Sequence, residues 1–230
     1  MTKLRIVAVG MIALLSVGAL SACGMEDWTE NREENAYEVT ENVTKLDIQA
    51  QAGAVTVRAG TGPVKVKEIL RFNGNKPKAT HAVVDGTLKL VDEGCSGVRN
   101  CGVEYEVTVP ATLAVTVKTS AGPVDATGLT GDVSLATNAG SVEAVSMGTK
   151  KLKIRSDAGR IRAEFTVVPD DVDVQTSAGS VTVVVPSGTA YAVDARTSAG
   201  SRDITVQTDP ASTHKIKAET SAGKIEVRNS

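Results

Sequence analysis

Six corners of nearly one spelling constrain what this chain can fold into: KTSAGPV, ATNAGSV, RSDAGRI, QTSAGSV, RTSAGSR and ETSAGKI, running from Lys118 to Ile225. Take Gly122, Gly140, Gly159, Gly179, Gly200 and Gly223 as a common zero; the intervals are then 18, 19, 20, 21 and 23 residues. Seven positions before zero stand Val115, Val133, Leu152, Val172, Val193 and Ile216, and five before stand Val117, Leu135, Ile154, Val174, Ala195 and Ala218. Thr or Ser occupies the third place before each Gly, and Ala the place next to it. Beyond the corner, the second place holds Val124, Val142, Ile161, Val181, Arg202 and Ile225, and the fourth holds Ala126, Ala144, Ala163, Val183, Ile204 and Val227.

Every second position on both sides of the corner is therefore small or apolar, which is the periodicity of a strand with one buried face. A period near twenty residues predicts a solenoid, because one repeat cannot bury its inner face alone and stacking buries it. Equivalent strands then run parallel, about 4.8 Å apart from coil to coil. The simplest stacking places each coil on the next in sequence. Gly lets the chain turn at positive φ without a Cβ penalty, and the Ser or Thr hydroxyl can bond the corner backbone or the next coil. A column of such residues is a structural ladder; an enzyme needs one reactive serine.

An earlier copy, KLDIQAQAGAVTV at 45–57, has its corner at Gly53. The stretch between it and Gly122 holds three strand-like runs, VKVKEILRF, TLKLV and VEYEVTV. The expectation is an all-β parallel β-solenoid of about 7–9 coils forming one domain over 44–228, regular from about 113 to 228 and less regular over 44–112. Only six residues are aromatic, so the core must be built from Val, Ile, Leu, Ala and Thr.

The first 22 residues read as an export signal: Lys3 and Arg5, then an uncharged run from Ile6 to Leu20, fifteen residues long and too short to span a bilayer as a helix. The run ends in Leu20-Ser21-Ala22-Cys23, which resembles the bacterial lipobox. That resemblance makes Cys23 the lipid-modified first residue (palmitate among its acyl chains) and places the protein at the cell membrane on the extracytoplasmic face. Residues 23–43 carry seven acids and one Arg, and are expected to be the lipidated cysteine and an acidic tether. Export puts the remaining pair, Cys95 and Cys101 in CSGVRNC, in an oxidising compartment, which favours a disulfide over two free thiols.

Chemistry is sparse. Without the signal the chain has 23 basic and 27 acidic residues (two of the 25 basic ones lie in the signal), which disfavours a nucleic-acid partner. His81 and His214 lie far apart with no ligand spacing around them and read as solvated surface residues. Asp170, Asp171 and Asp173 lack the calcium-binding nonapeptide pattern. No catalytic residue, metal site or cofactor is expected. Two outward columns carry mixed charge: Thr116, Ser134, Lys153, Asp173, Asp194 and Lys217; and Asp125, Glu143, Arg162, Thr182, Asp203 and Glu226. Arg202 breaks the inward pattern. Between Val181 and Ile225 it would be buried, so a bulge after Gly200 that turns it outward is expected, with a local carboxylate or a partner site as the alternatives.

The corners, together with VTVPATLAVTVKTSAG at 107–122 and VVVPSGTAYAVDARTSAG at 183–200, resemble the bacterial putative-adhesin family of unknown function. The resemblance covers about residues 44–228 and implies a β-solenoid, often carried behind a lipobox or a membrane helix. It transfers little chemistry. The reading is a non-catalytic, lipid-anchored envelope scaffold or adhesin-like binding protein, meeting the membrane through Cys23, with an unidentified envelope protein or glycan as the candidate partner. The alternative is a carbohydrate-active β-helix enzyme using stacked acids such as Asp125 and Glu143. It would require aromatic sugar platforms on the outer face, and only Phe165 and Tyr191 are available in the later coils.

Overall fold

A computed structural model describes residues 31–95 and 101–230. The described residues form nineteen strands and no helix, arranged in a 10-stranded and a 9-stranded sheet. The chain crosses from one sheet to the other at each corner. The copies stack as rungs, each with one strand in either sheet. These are β2 (Lys45–Ala52) with β3 (Val55–Gly60), β8 (Ala114–Ala121) with β9 (Val124–Thr127), β10 (Val133–Ala139) with β11 (Val142–Met147), and β12 (Lys151–Ala158) with β13 (Ile161–Phe165). Three more follow: β14 (Asp171–Ala178) with β15 (Val181–Val185), β16 (Ala192–Ala199) with β17 (Arg202–Ile204), and β18 (Lys215–Ala222) with β19 (Ile225–Asn229). An eighth rung, β6 (Thr87–Asp92) with β7 (Gly102–Pro110), lies outside the Gly53 rung, and Cys95, after β6, is disulfide-bonded to Cys101, just before β7. The described residues form an all-β parallel solenoid of eight rungs with antiparallel strands added at one end.

The alternating pattern places its residues as a half-buried strand should. Val115, Val117, Val124 and Ala126 are buried, as are their equivalents Val172, Val174, Val181 and Val183. At the corner, a Cβ on Gly179 would run into the carbonyl oxygen of Gly159, and its φ is +148°, so both space and conformation demand glycine. The hydroxyl three places before several of the corners ties rungs together: Thr137 Oγ1 donates to Gly122 O at 3.2 Å, Ser156 Oγ to Gly140 O at 3.3 Å, and Thr176 Oγ1 to Gly159 O at 3.3 Å, whereas Thr119 Oγ1 donates to Ala121 O of its own corner.

The stacking order departs from the order in sequence. β18 lies between β14 and β16, and β19 between β15 and β17, so the last rung in sequence is inserted and the Gly200 rung stands at the end. Two charges account for this. Sequential stacking would put Asp173 beside Asp194; insertion places Lys217 between them, so that Lys153, Asp173, Lys217 and Asp194 alternate in sign. Like charges directly opposite destabilise a ladder and opposite charges support it. Sequential stacking would also bury Arg202 between Val181 and Ile225, whereas the end position leaves it exposed.

The expected bulge at Arg202 is thus corrected. Arg202 pairs in regular register with Ile225, Asp203 with Glu226 and Ile204 with Val227. It reaches solvent because no further rung covers it. The acidic stretch expected as a tether to residue 43 is also shorter than that, since Asn31–Val39 forms β1, antiparallel to β4 (Val64–Phe72). Cys23 lies outside the described residues.

Candidate functional site: the open end of the solenoid

The two ends of the stack differ. At one end the edge strands are antiparallel: β1 in one sheet, and β5 (Ala79–Val84) in the other, joined to β6 by a left-handed turn at Asp85 and Gly86. Tyr37 of β1 stacks on His81 of β5 with ring centroids 4.3 Å apart, bridging the sheets. Tyr37 also donates to Glu68 at 2.7 Å, and Glu68 is only 4% exposed. Burial first, and then the Glu68 contact, push the Tyr37 hydroxyl above its usual range. Close by, burial raises Tyr105 as well, with the negative charges of Glu68 and Asp92 adding to it.

At the other end no ring pair bridges the sheets among the described residues; the segment following β17 instead bonds Tyr191, just before β16, through Gln207 O and Asp209 N. The inward residues Val193, Ala195 and Ile204 are only half-buried, whereas their counterparts one rung in, Ile216, Ala218 and Val227, are at most 1% exposed. A hollow of about 1020 Å³ opens there, lined in part by Tyr191, Val193, Ala195, Arg202, Ile204 and Pro210. Tyr191 is fully buried at its base and donates to Pro186 O at 2.9 Å. Arg202 Nη1 reaches across the hollow from β17 and donates to Ala195 O on β16 at 3.1 Å. On the outer face of β16, Arg196 bonds Asp194 at 2.8 Å.

The other residues singled out by the sequence do not converge. Asp125 and Glu143 are stacked neighbours, and Arg162 follows Glu143 on the next rung. Burial chiefly raises the Asp125 carboxyl above its ordinary value; Glu143 adds to this and Arg58 opposes it. Asp173 is taken up by Arg155 at 2.5 Å, and Asp170 by His214 at 3.4 Å. His214, expected to be solvated, is half-buried: its Nδ1 lies 2.9 Å from Pro169 O and its ring meets Tyr191 edge-on at 6.3 Å. His81 is exposed but engaged in the Tyr37 stack. Phe165 is 2% exposed and Tyr191 is fully buried, so neither supplies an outer aromatic platform. Among the described residues no three His, Cys, Asp or Glu side chains are grouped to hold a metal. The open end was missed in the sequence, although Arg202 and the Asp173–Asp194 repulsion both signalled it.

Parallel rungs in two facing sheets, turned by glycine at one edge, define a β-solenoid domain. Residues 38–230 match the model of the family described as Toastrack DUF4097, and the chain belongs to that family. Among solved structures, one titled "putative cell adhesion protein" from Clostridium sporogenes is 16% identical, with 87% of this chain and 100% of that chain covered at a TM-score of 0.53. Another, titled "putative adhesin" from Bacteroides fragilis, is 19% identical, with 88% and 99% covered at a TM-score of 0.52. These likenesses concern the fold. No curated protein matches the chain.

Proposed function

We propose that this chain is a non-catalytic envelope protein of adhesin-like character, held to the membrane by lipid on Cys23 and presenting the open end of its solenoid outward. The observation that carries this reading is the position of β1. The strand nearest Cys23 lies at the Tyr37–His81 end, and β17 is at the opposite edge of the same sheet. The seven residues between Cys23 and Asn31 reach less than about 30 Å. An anchor at Cys23 therefore sets the bridged end toward the membrane and the hollow away from it, roughly 40 Å further out at strand spacing. The adhesin titles of the two similar structures agree with an envelope role. So does the outer face of β12, β14, β18 and β16, where Lys153, Asp173, Lys217 and Asp194 alternate in sign and no exposed aromatic residue stands.

The test is a Cys23→Ala chain expressed beside the wild type. Loss of detergent-phase partitioning, or arrested processing, supports the anchor; unchanged partitioning defeats it. Pull-down from intact envelopes with the lipidated protein then asks for a partner. Depolymerisation of envelope glycans that is lost in Asp125→Asn would overturn the non-catalytic reading.

A further inference from the structure

We infer that the open end is a surface fitted to a second copy of this chain, and that Arg202 keeps it closed in the single chain. Strand β16 is an edge eight residues long; Tyr191, just before it, is already bonded to Gln207 and Asp209, so the uncovered edge begins at Ala192. Ala192 N donates to His214 O at 2.9 Å, toward β18. By alternation, Val193, Ala195 and Thr197 turn their backbone groups to the free edge. A long, regular edge of this kind is a template for pairing.

The edge complements itself. A two-fold axis through Ala195 pairs the strand with its own copy in antiparallel sense. Ala195 then faces Ala195, and Val193 faces Thr197, all on the inner side, so the half-buried inward layer continues across the axis. On the outer side Asp194 faces Arg196 of the copy, twice over. The two residues that now bond each other within one strand need only exchange partners. The axis moved by one residue, through Asp194 or Arg196, would set like charges opposite themselves, so the charge pattern selects the register.

Arg202 is what prevents this pairing. It stands in the inward column, in register with Ile225, where the five other aligned corners carry Val or Ile. Its guanidinium occupies the Ala195 carbonyl, which is the acceptor at the centre of the two-fold pairing. A second copy would strip that bond and bury the charge against an apolar layer, at a cost that an unpaired buried ion does not recover. An inward-pointing charge at a sheet edge is a recognised means of blocking strand addition.

The test is disulfide trapping in the full chain. Ala195→Cys is introduced alone and together with Arg202→Val, and both are oxidised; the chain without Ala195→Cys controls for Cys23. Non-reducing gels should show single chains for Ala195→Cys alone. With Arg202→Val added, reducible dimer should rise by roughly tenfold or more, each ~1.4 kcal/mol of removed cost being a factor of ten. Arg202→Lys should behave as the wild type. Adding Asp194→Arg to the trapped pair should abolish the dimer, and adding Arg196→Asp as well should restore it. Equal dimer with and without Arg202→Val overturns the guard. Dimer insensitive to the charge reversals overturns the two-fold pairing. Neither result depends on whether Cys23 carries lipid.

Discussion

Thr220 Oγ1 donates to the carbonyl oxygen of Gly179 at 3.0 Å, across 41 residues of chain. The Thr197 hydroxyl, from the copy that lies between them in sequence, instead bonds Gly223 O at 3.1 Å. These two bonds record the inserted order of the last rungs. Asp173 and Lys217 are register partners, at a Cα spacing near 4.8 Å that a disulfide can bridge. Asp173 and Asp194 are two rungs apart, beyond disulfide reach. The double variant Asp173→Cys/Lys217→Cys should therefore oxidise to an intrachain bond, and Asp173→Cys/Asp194→Cys should not. The reverse outcome would restore sequential stacking.

Gly179→Val should be among the most damaging single changes in the regular part of the stack. The valine backbone would have to adopt a φ of +148°, and its Cβ would meet the Gly159 carbonyl. A loss of about 3 kcal/mol, the upper part of the common range, is expected in denaturant unfolding. An unchanged midpoint would mean that neighbouring rungs separate at little cost.

Two tyrosines near the bridged end, the half-buried Tyr37 and the buried Tyr105, should respond oppositely to loss of the hydroxyl. Tyr37→Phe removes the donor to the buried Glu68 carboxylate and should cost about 1–3 kcal/mol. Tyr105 is wholly buried and its hydroxyl has no hydrogen-bond partner among the described residues. Tyr105→Phe should leave stability equal or slightly higher, since the apolar replacement removes an unpaired polar atom. Melting temperatures of the two variants side by side decide the matter.

The Asp125 carboxyl titrates above its ordinary value in the folded chain, chiefly because it is desolvated, with Glu143 adding repulsion. The folded state then holds this proton more tightly than the unfolded chain does. Stability from this group is present at low pH and falls as pH rises from about 3.9 through the raised value. Asp125→Asn removes that decline. Its melting temperature relative to the wild type should rise as pH increases above about 4. A difference that falls or stays flat as pH increases from there would contradict the assignment.

Much of this protein is set by short-range pattern. Apolar residues at every second place fix which side of each strand is buried, and recurrence near twenty residues fixes that the strands stack in parallel. Gly179 and its equivalents are glycine because a neighbouring carbonyl occupies the space a Cβ would need, and that requirement is visible as a repeated letter. Cys95 and Cys101 are close enough in sequence to pair. Order along the stack is different. All copies share one register, so hydrogen bonding and apolar packing accept any neighbour nearly equally, and the choice falls to single side chains meeting across long separations. Lys217 between Asp173 and Asp194, and Arg202 at an uncovered end, are legible only once every rung has a place. Nor does β1 carry the alternating apolar pattern: its nine residues are mostly exposed, and it is a strand only because β4 offers an unpaired edge. Sequence alone determined the rung; the tertiary structure decided which rung is last, and with it which end of the molecule is open.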